Sequence, residues 1–480
     1  MILSITIIFG WLFLNLAVGI VAKSDTEKDI EEWFVGSRTF DVMLLWFVFS
    51  AHWISAFSFL GGPGWAYSMG APAFYIIVYS SMYPILYYVI MPKVCELGWR
   101  NKYITQTDLI LDRYRNKFMA LIFIVVSYIT LIPYLAIQMM GVGYIFTVTT
   151  GRIISFKTGV MIAFGIVCAY VFTSGIRGVG WTTFVQGVFM FITGIGAAVF
   201  LFSKKSLSLS EMFHQIQSTH PEFLTLPGMG NMMSPQLFGT SILLSCLGGA
   251  MWPHLFQKFF TAKSVRITKL CSALAPLAGI LNISVIIIGF SGILLIKKNI
   301  IPDEVLMEVV VQNLPTWFWG LVGAGILAAA MSTGSGIVHT LGSITGRDLY
   351  YRFIQTNAPD SRISVISKWA VVITTIFSFL FAIAKPSSLV YILLISYGGV
   401  TQFLPTIIGA LFWPRATKYG VITGLIAGLL ITIIFSFIPG LKHPFGIHGG
   451  FWGVLINFTL FITISLLTKP EPPQVLNRFF

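Results

Sequence analysis

Ser332 and Thr333 stand side by side in the run Gly325-Ile326-Leu327-Ala328-Ala329-Ala330-Met331-Ser332-Thr333-Gly334-Ser335-Gly336, inside a hydrophobic segment that begins near Trp317. On a helix, Ala329, Ser332, Thr333 and Gly336 share one face, because three and four residues make about one turn. That face has little bulk, and two of its positions carry an oxygen. A partner helix can approach closely there, with room for a small cation between the two. Hydroxyls in apolar helices also bond back to carbonyls one turn earlier, and the spacing alone leaves both readings open.

Other chemistry is scarce. The chain has no His-Glu-x-x-His run, no intramembrane Asp pair and no Gly-x-Ser-x-Gly, so it does not read as an enzyme. All 17 Asp and Glu fall in loops, in the tail or at span ends, and no Lys or Arg is expected near the middle of a span. An intramembrane acid would mark a proton relay or a site for a divalent or organic cation. A monovalent cation held by carbonyls and hydroxyls needs no acid, and an anionic solute brings its own counter-charge. Broken-helix N-termini would add partial positive charge for such an anion. His52, His254 and His339 fall inside or at the edge of spans and keep proton coupling as a rival.

These residues need a membrane framework. Of the 480 residues, 56% are apolar and 10% charged, with a mean hydropathy of +0.85. Soluble proteins carry about a quarter charged residues, so the composition is that of an all-α polytopic membrane protein. Stretches of about 20 apolar residues give thirteen candidate spans. They start near Ile2, Asp41, Ala71, Phe118, Thr158, Gly180, Gln236, Leu270, Trp317, Val365, Ser388, Tyr419 and Phe451. With the N-terminus outside and the C-terminus cytoplasmic, inner loops, span edges and tail hold 22 of the 30 Lys and Arg. That bias accounts for the net charge of +13 without a nucleic-acid partner. The first span lacks the basic flank of a signal peptide. Cys95, Cys168, Cys246 and Cys271 have neither metal nor disulfide spacing.

Two spans are interrupted. The second contains Gly61-Gly62-Pro63-Gly64, which is expected to break the helix and release the carbonyls before it. The seventh is interrupted at Gly248-Gly249-Ala250-Met251-Trp252-Pro253-His254. They are five spans apart, as two oppositely inserted copies of one unit would place them, and paired breaks point to a mid-membrane binding site. Two unrelated proline kinks are the alternative. Lys23 to Phe40, Gly98 to Lys117 and Thr345 to Ser364 read as cytoplasmic loops. Ser203 to Pro235 reads as an outer loop with a surface helix at Leu209 to Ile216, and Lys469 to Phe480 as a short tail without a further soluble domain.

Several motifs occur together. Phe34-Val35-Gly36-Ser37-Arg38 resembles the loop before the first core helix of the sodium:solute symporter family. Ser174-Gly175-Ile176-Arg177-Gly178-Val179-Gly180-Trp181-Thr182-Thr183-Phe184-Val185-Gln186 resembles its Gly-Gly-x-Arg/Lys-Ala-Val-x-Trp-Thr-Asp-x-x-Gln motif. Trp252-Pro253-His254-Leu255-Phe256-Gln257-Lys258 with Ala262-Lys263-Ser264, Ala329 to Thr333 with Asp348-Leu349-Tyr350, and Phe403-Leu404-Pro405 through Thr417 are similar to its seventh, ninth and eleventh spans. The similarity runs in order over nearly the whole chain.

The resemblance implies about thirteen transmembrane helices with a five-plus-five inverted-repeat, LeuT-like core. An extra helix and loop would occupy residues 1–40, the first repeat 41–203, an extracellular loop 204–235, the second repeat 236–412, and two extra helices with the tail 413–480. It also implies a co-transported sodium ion held by the carbonyls of Ala51, Ile54 and Ala329 and the hydroxyls of Ser332 and Thr333. Two departures stand out. Many members have Asp where this chain has Trp53. Members with a second sodium site use an Asp and extra serines where this chain has Thr183 and Gly336, retaining only Ser335, so at most one sodium per cycle is expected.

Polar residues facing the presumed cavity are few: Ser55, Ser58, Tyr75, Tyr79, Gln138 and Gln402, with Trp252 and His254 flanking the second break. A sugar needs several paired donors and acceptors, so a small solute with one strongly polar end fits better. Gly64 through Tyr75 also resembles the bacterial monocarboxylate-transporting branch. The expectation is a sodium-coupled symporter of a short monocarboxylate in a bacterial or archaeal inner membrane. A proton-coupled carrier of the same fold and a sodium-coupled amino-acid transporter are the alternatives. Sodium, the solute and membrane lipid are the implied partners, with no obligatory protein partner.

Overall fold

A computed structural model describes residues 2–22, 30–384 and 389–480. Most of Lys23 to Phe40 is described, but residues 23–29 and the expected span start at Ser388 lie outside the described residues. The described chain is helical. Its one departure toward sheet is an isolated parallel bridge between Phe40 and Ala262.

Among the described residues ten helices are long and apolar enough to cross a membrane, or eleven with the bent pair Val42–Trp53 and Phe57–Ser68 taken as one span. Thirteen were expected, and the difference arises at two places. The fifth and sixth expected spans run together as Phe156–Lys205, a 50-residue stretch that leaves helical geometry at Gly175 (φ 54, ψ −143). Only glycine takes that conformation without strain, so the motif glycine turns one span into the next without a loop. The seventh expected span begins as Pro235–Gly249, whose 15 residues are too few to cross alone, and continues after the break as Pro253–Phe256.

The second span breaks in a different place from the one expected. Val42–Trp53 ends at Ile54, which is extended (φ −84, ψ 102). The Gly-Gly-Pro-Gly run instead continues helically as Gly62–Ser68, with Pro63 in the first turn where its missing N–H is not needed. Those glycines serve close approach. A Cβ on Gly64 would come within 2.9 Å of the Pro302 backbone, and one on Gly289 within 2.5 Å of the Pro63 carbonyl. The amides freed at the true break find side-chain acceptors. Ala56 N donates to Gln138 Oε1 at 3.0 Å, and Phe57 N to Ser55 Oγ at 3.2 Å.

The small-residue helix Thr316–Ser343 sits at the centre, buried from Val322 through Ser343. It packs against Phe156–Lys205, Lys117–Thr149, Ile2–Val21 and Val42–Trp53. The surface helix expected within residues 203–235 is present as Leu209–Thr219, started by a capping box between Ser208 and Glu211 and anchored by buried Met212 and Ile216.

Candidate functional site

The small face of Thr316–Ser343 meets the end of Val42–Trp53. Ser332 Oγ donates to the Ala51 carbonyl at 2.9 Å and to the Ala329 carbonyl at 3.0 Å. Thr333 Oγ1 lies 3.3 Å from the Ala51 carbonyl and 3.2 Å from that of His52. The Ala51 and Ala329 carbonyls both lie within reach of the one Ser332 hydroxyl proton, so the back-bond and the cross-helix bond share it. Ile54, next to this cluster in the chain, has left the helix, which frees its carbonyl from the helical ladder. All five expected residues are fully buried. Neutral oxygens from two helices, one of them broken, are suitable chemistry for a monovalent cation.

Beside them, His52 fills the space over Gly336. A Cβ there would come within 2.7 Å of the ring, and His52 Nε2 lies 3.4 Å from Thr183 Oγ1. The imidazole thus stands between the two positions at which the sequence departs from the pattern for a second sodium. His339 is tied down differently, with Nε2 2.9 Å from the Trp33 carbonyl and its ring against the Trp33 indole.

The second break opens onto a set of aromatic rings. Trp252 packs on Tyr134 at 4.7 Å, Tyr397 at 5.3 Å and His254 at 5.7 Å between centroids. Tyr79 joins Tyr397 at 6.1 Å, Tyr75 at 5.3 Å and Trp53 at 5.8 Å. Ser55 and Ser58 are buried at the first break. Two expected solute residues have other roles. Gln138 is occupied as a brace, accepting from Ala56 N and donating to the Tyr134 carbonyl at 3.2 Å. Gln402 is committed to the C-terminal helices, donating at 3.1 Å to Thr432 Oγ1 and the Gly450 carbonyl and accepting from Asn457.

Tyr83, Tyr134 and Tyr397 were not anticipated. A signal was present for the first: Tyr75, Tyr79, Tyr83 and Tyr87 recur every fourth residue and therefore line one helix face. Trp53 stacks on Tyr83 at 3.7 Å, so the departure from Asp supplies an aromatic wall. Lys258 was also misplaced. Counted with the loops in the sequence, it is fully buried in the turn Gln257–Phe260, which prolongs Pro253–Phe256.

Beyond Lys258 this end of the bundle is fastened by charged and polar groups. Arg38 Nε meets Glu31 Oε1 at 2.8 Å, while its other nitrogens donate to the Phe260 carbonyl at 3.0 Å and the Tyr103 carbonyl at 2.9 Å. Burial lowers the pKa of this guanidinium, and Glu31 opposes the shift. Asp108 ties the same end to Arg352, and Thr105 Oγ1 donates to Asp348 Oδ1 at 2.8 Å. At the opposite end a cavity of about 150 Å³ lies among Trp65, Met233, Tyr391, Leu394 and His448.

The sequence model described as the sodium:solute symporter family matches residues 33–428, spanning both breaks and the Ser332–Thr333 face. The chain belongs to the sodium:solute symporter family. Among its relatives, a Bacillus subtilis protein described as the uncharacterized symporter YhjB is 29% identical over 97% of each chain. The monocarboxylate transport permease protein of Rhizobium johnstonii is 22% identical, again over 97% of each. A solved structure titled as the substrate-bound outward-open state of a Na+-coupled sialic acid symporter superposes with a TM-score of 0.81. It is 18% identical and covers 98% of this chain and 99% of its own. That likeness establishes the LeuT-like helical fold of this family member.

Proposed function

We propose that this family member is a sodium-coupled symporter that imports a short monocarboxylate by alternating access. The observation that carries the reading is the joint at Ala51, Ala329, Ser332 and Thr333, where two helices present neutral oxygens to one point. Sodium entering there replaces hydroxyl-to-carbonyl hydrogen bonds with coordination. It holds the broken helix against Thr316–Ser343 and completes the aromatic chamber around Trp252. Its affinity for the outward-open state exceeds that for the inward-open one, which is what coupling requires.

The solute reading is supported by a chamber of rings with few free polar groups, which suits a small apolar body with one charged end. We place residues 41–203 and 236–412 as the two repeats, the N-terminus outside and the C-terminus in the cytoplasm of a bacterial or archaeal cell. The Arg38 end is then the cytoplasmic one. His254, whose ring nitrogens are both unpartnered, favours a proton-coupled carrier as the second reading. Uptake of labelled acetate, lactate, pyruvate and proline into proteoliposomes, with and without a sodium gradient, separates the two. Accumulation of a monocarboxylate only with sodium is expected, and equal uptake in sodium-free buffer driven by a pH gradient would overturn the sodium reading.

A further inference from the structure

The short helix after the second break carries a charge that the coupling scheme leaves unused. His254 and Lys258 are one turn apart on Pro253–Phe256 and its prolongation Gln257–Phe260, so they share a face. Gln257, on the neighbouring face, fastens this helix to the central one. Its Nε2 donates to Ser343 Oγ at 3.0 Å and its Oε1 accepts from Thr340 Oγ1 at 2.7 Å, both on the central helix.

Lys258 is 0% exposed and its Nζ has no hydrogen-bond partner. Among the described residues no carboxylate pairs with it. His254, also 0% exposed, has both ring nitrogens unpartnered. The electrostatic neighbours of Lys258 are His52, His254 and His339, none of them an anion. Removing an ammonium from water without a partner costs several kcal/mol, and a methionine of similar length would avoid that penalty. The ammonium form of Lys258 has no counter-charge among the described residues, so the charged state is favoured only when an anion arrives.

Its position along the chain says when that happens. Trp252 belongs to the aromatic chamber, His254 and Lys258 follow, and the carbonyl of Phe260 is held by Arg38 in the fastened end. Lys258 therefore stands between the chamber and that end.

We propose that Lys258, with His254, is an anion site that receives the carboxylate of the solute as it moves from the aromatic chamber toward the fastened end. This rests on the monocarboxylate reading above. It assigns the counter-charge that a core without charged residues was not expected to hold.

The test uses the full-length protein with Lys258→Met and Lys258→Arg. In solute counterflow across proteoliposomes, Lys258→Met should lose at least tenfold in acetate and lactate exchange, while Lys258→Arg retains it and the sodium concentration for half-maximal rate stays unchanged. Thermal unfolding is the second measurement. With methanesulfonate as background anion and sodium held constant, acetate should raise the wild-type midpoint where acetamide does not, and Lys258→Met should abolish that rise without a lower starting midpoint.

Normal carboxylate exchange by Lys258→Met overturns the site, as does a lower starting midpoint, which would make Lys258 a structural brace. An equal rise with chloride overturns the assignment to a carboxylate. If the wild type carries no monocarboxylate yet shows the Lys258-dependent acetate shift, the import reading fails and the anion site stands. If wild type and Lys258→Met import monocarboxylate equally, the import reading stands and the anion site fails.

Discussion

Ser332 Oγ reaches the Ala51 carbonyl at 2.9 Å across 281 residues of sequence, tying the central helix to the last turn before the first break. A methyl in place of either hydroxyl leaves the helices close but removes an oxygen. Ser332→Ala with Thr333→Ala should raise the sodium concentration for half-maximal uptake by about tenfold or more, equivalent to about 1.4 kcal/mol or more of lost binding. Membrane insertion and the unfolding midpoint should change little. Normal uptake by the double variant at low sodium would remove the site.

Gly336 and His52 form a steric pair, since a Cβ at 336 would come within 2.7 Å of the imidazole. Gly336→Ala should destabilise the protein by about 1–3 kcal/mol, as overpacking does. His52→Ala in the same chain should restore much of it. A thermal-unfolding double-mutant cycle reads the coupling, and strictly additive effects would show that the two do not touch.

Because His52 occupies the space between Thr183 and Gly336, one sodium per solute is expected. Reversal-potential measurements in proteoliposomes give the ratio directly. Two sodium ions per solute would require a second site elsewhere.

Trp252 packs directly on Tyr134 and Tyr397, the rings proposed to enclose the solute. Trp252→Ala should raise the solute KM at least tenfold, whereas Trp252→Phe, which keeps a ring, should raise it only a few-fold. Equal effects from both would mean that the indole does not wall the solute.

Asp303, in the connection before the helix Val305–Asn313, is buried, and burial pushes its pKa up to about 6 from 3.8. The folded state thus holds this proton over a range in which the unfolded chain has lost it. Stability contributed by the protonated form is present below pH 4 and declines as pH rises through 6. Asp303→Asn should therefore stabilise the protein at pH 7.5 by on the order of 1–3 kcal/mol and much less at pH 4, read from unfolding midpoints at the two values.

Periodicity and hydropathy located the apolar helices because a bilayer imposes span length on the sequence. The oxygen face at Ser332 and Thr333 was legible for a similar reason, since small residues at helical spacing announce a close approach. Gly61 to Gly64 misled because glycine and proline were read as breakers, when they serve contact with Pro302 and with Gly289. The true break at Ile54 has no Gly or Pro next to it. It depends on Gln138, a residue 82 positions away, to receive the free amide of Ala56. The burial of Lys258 was hidden likewise, because the residues after Pro253 look like a loop edge until tertiary packing encloses them.

Arg38 binds Glu31, Tyr103 and Phe260 with one guanidinium. The Phe40–Ala262 bridge, the Asp108–Arg352 pair and the Thr105–Asp348 hydrogen bond fasten the same end beside it, so separating these segments requires several ties to part together.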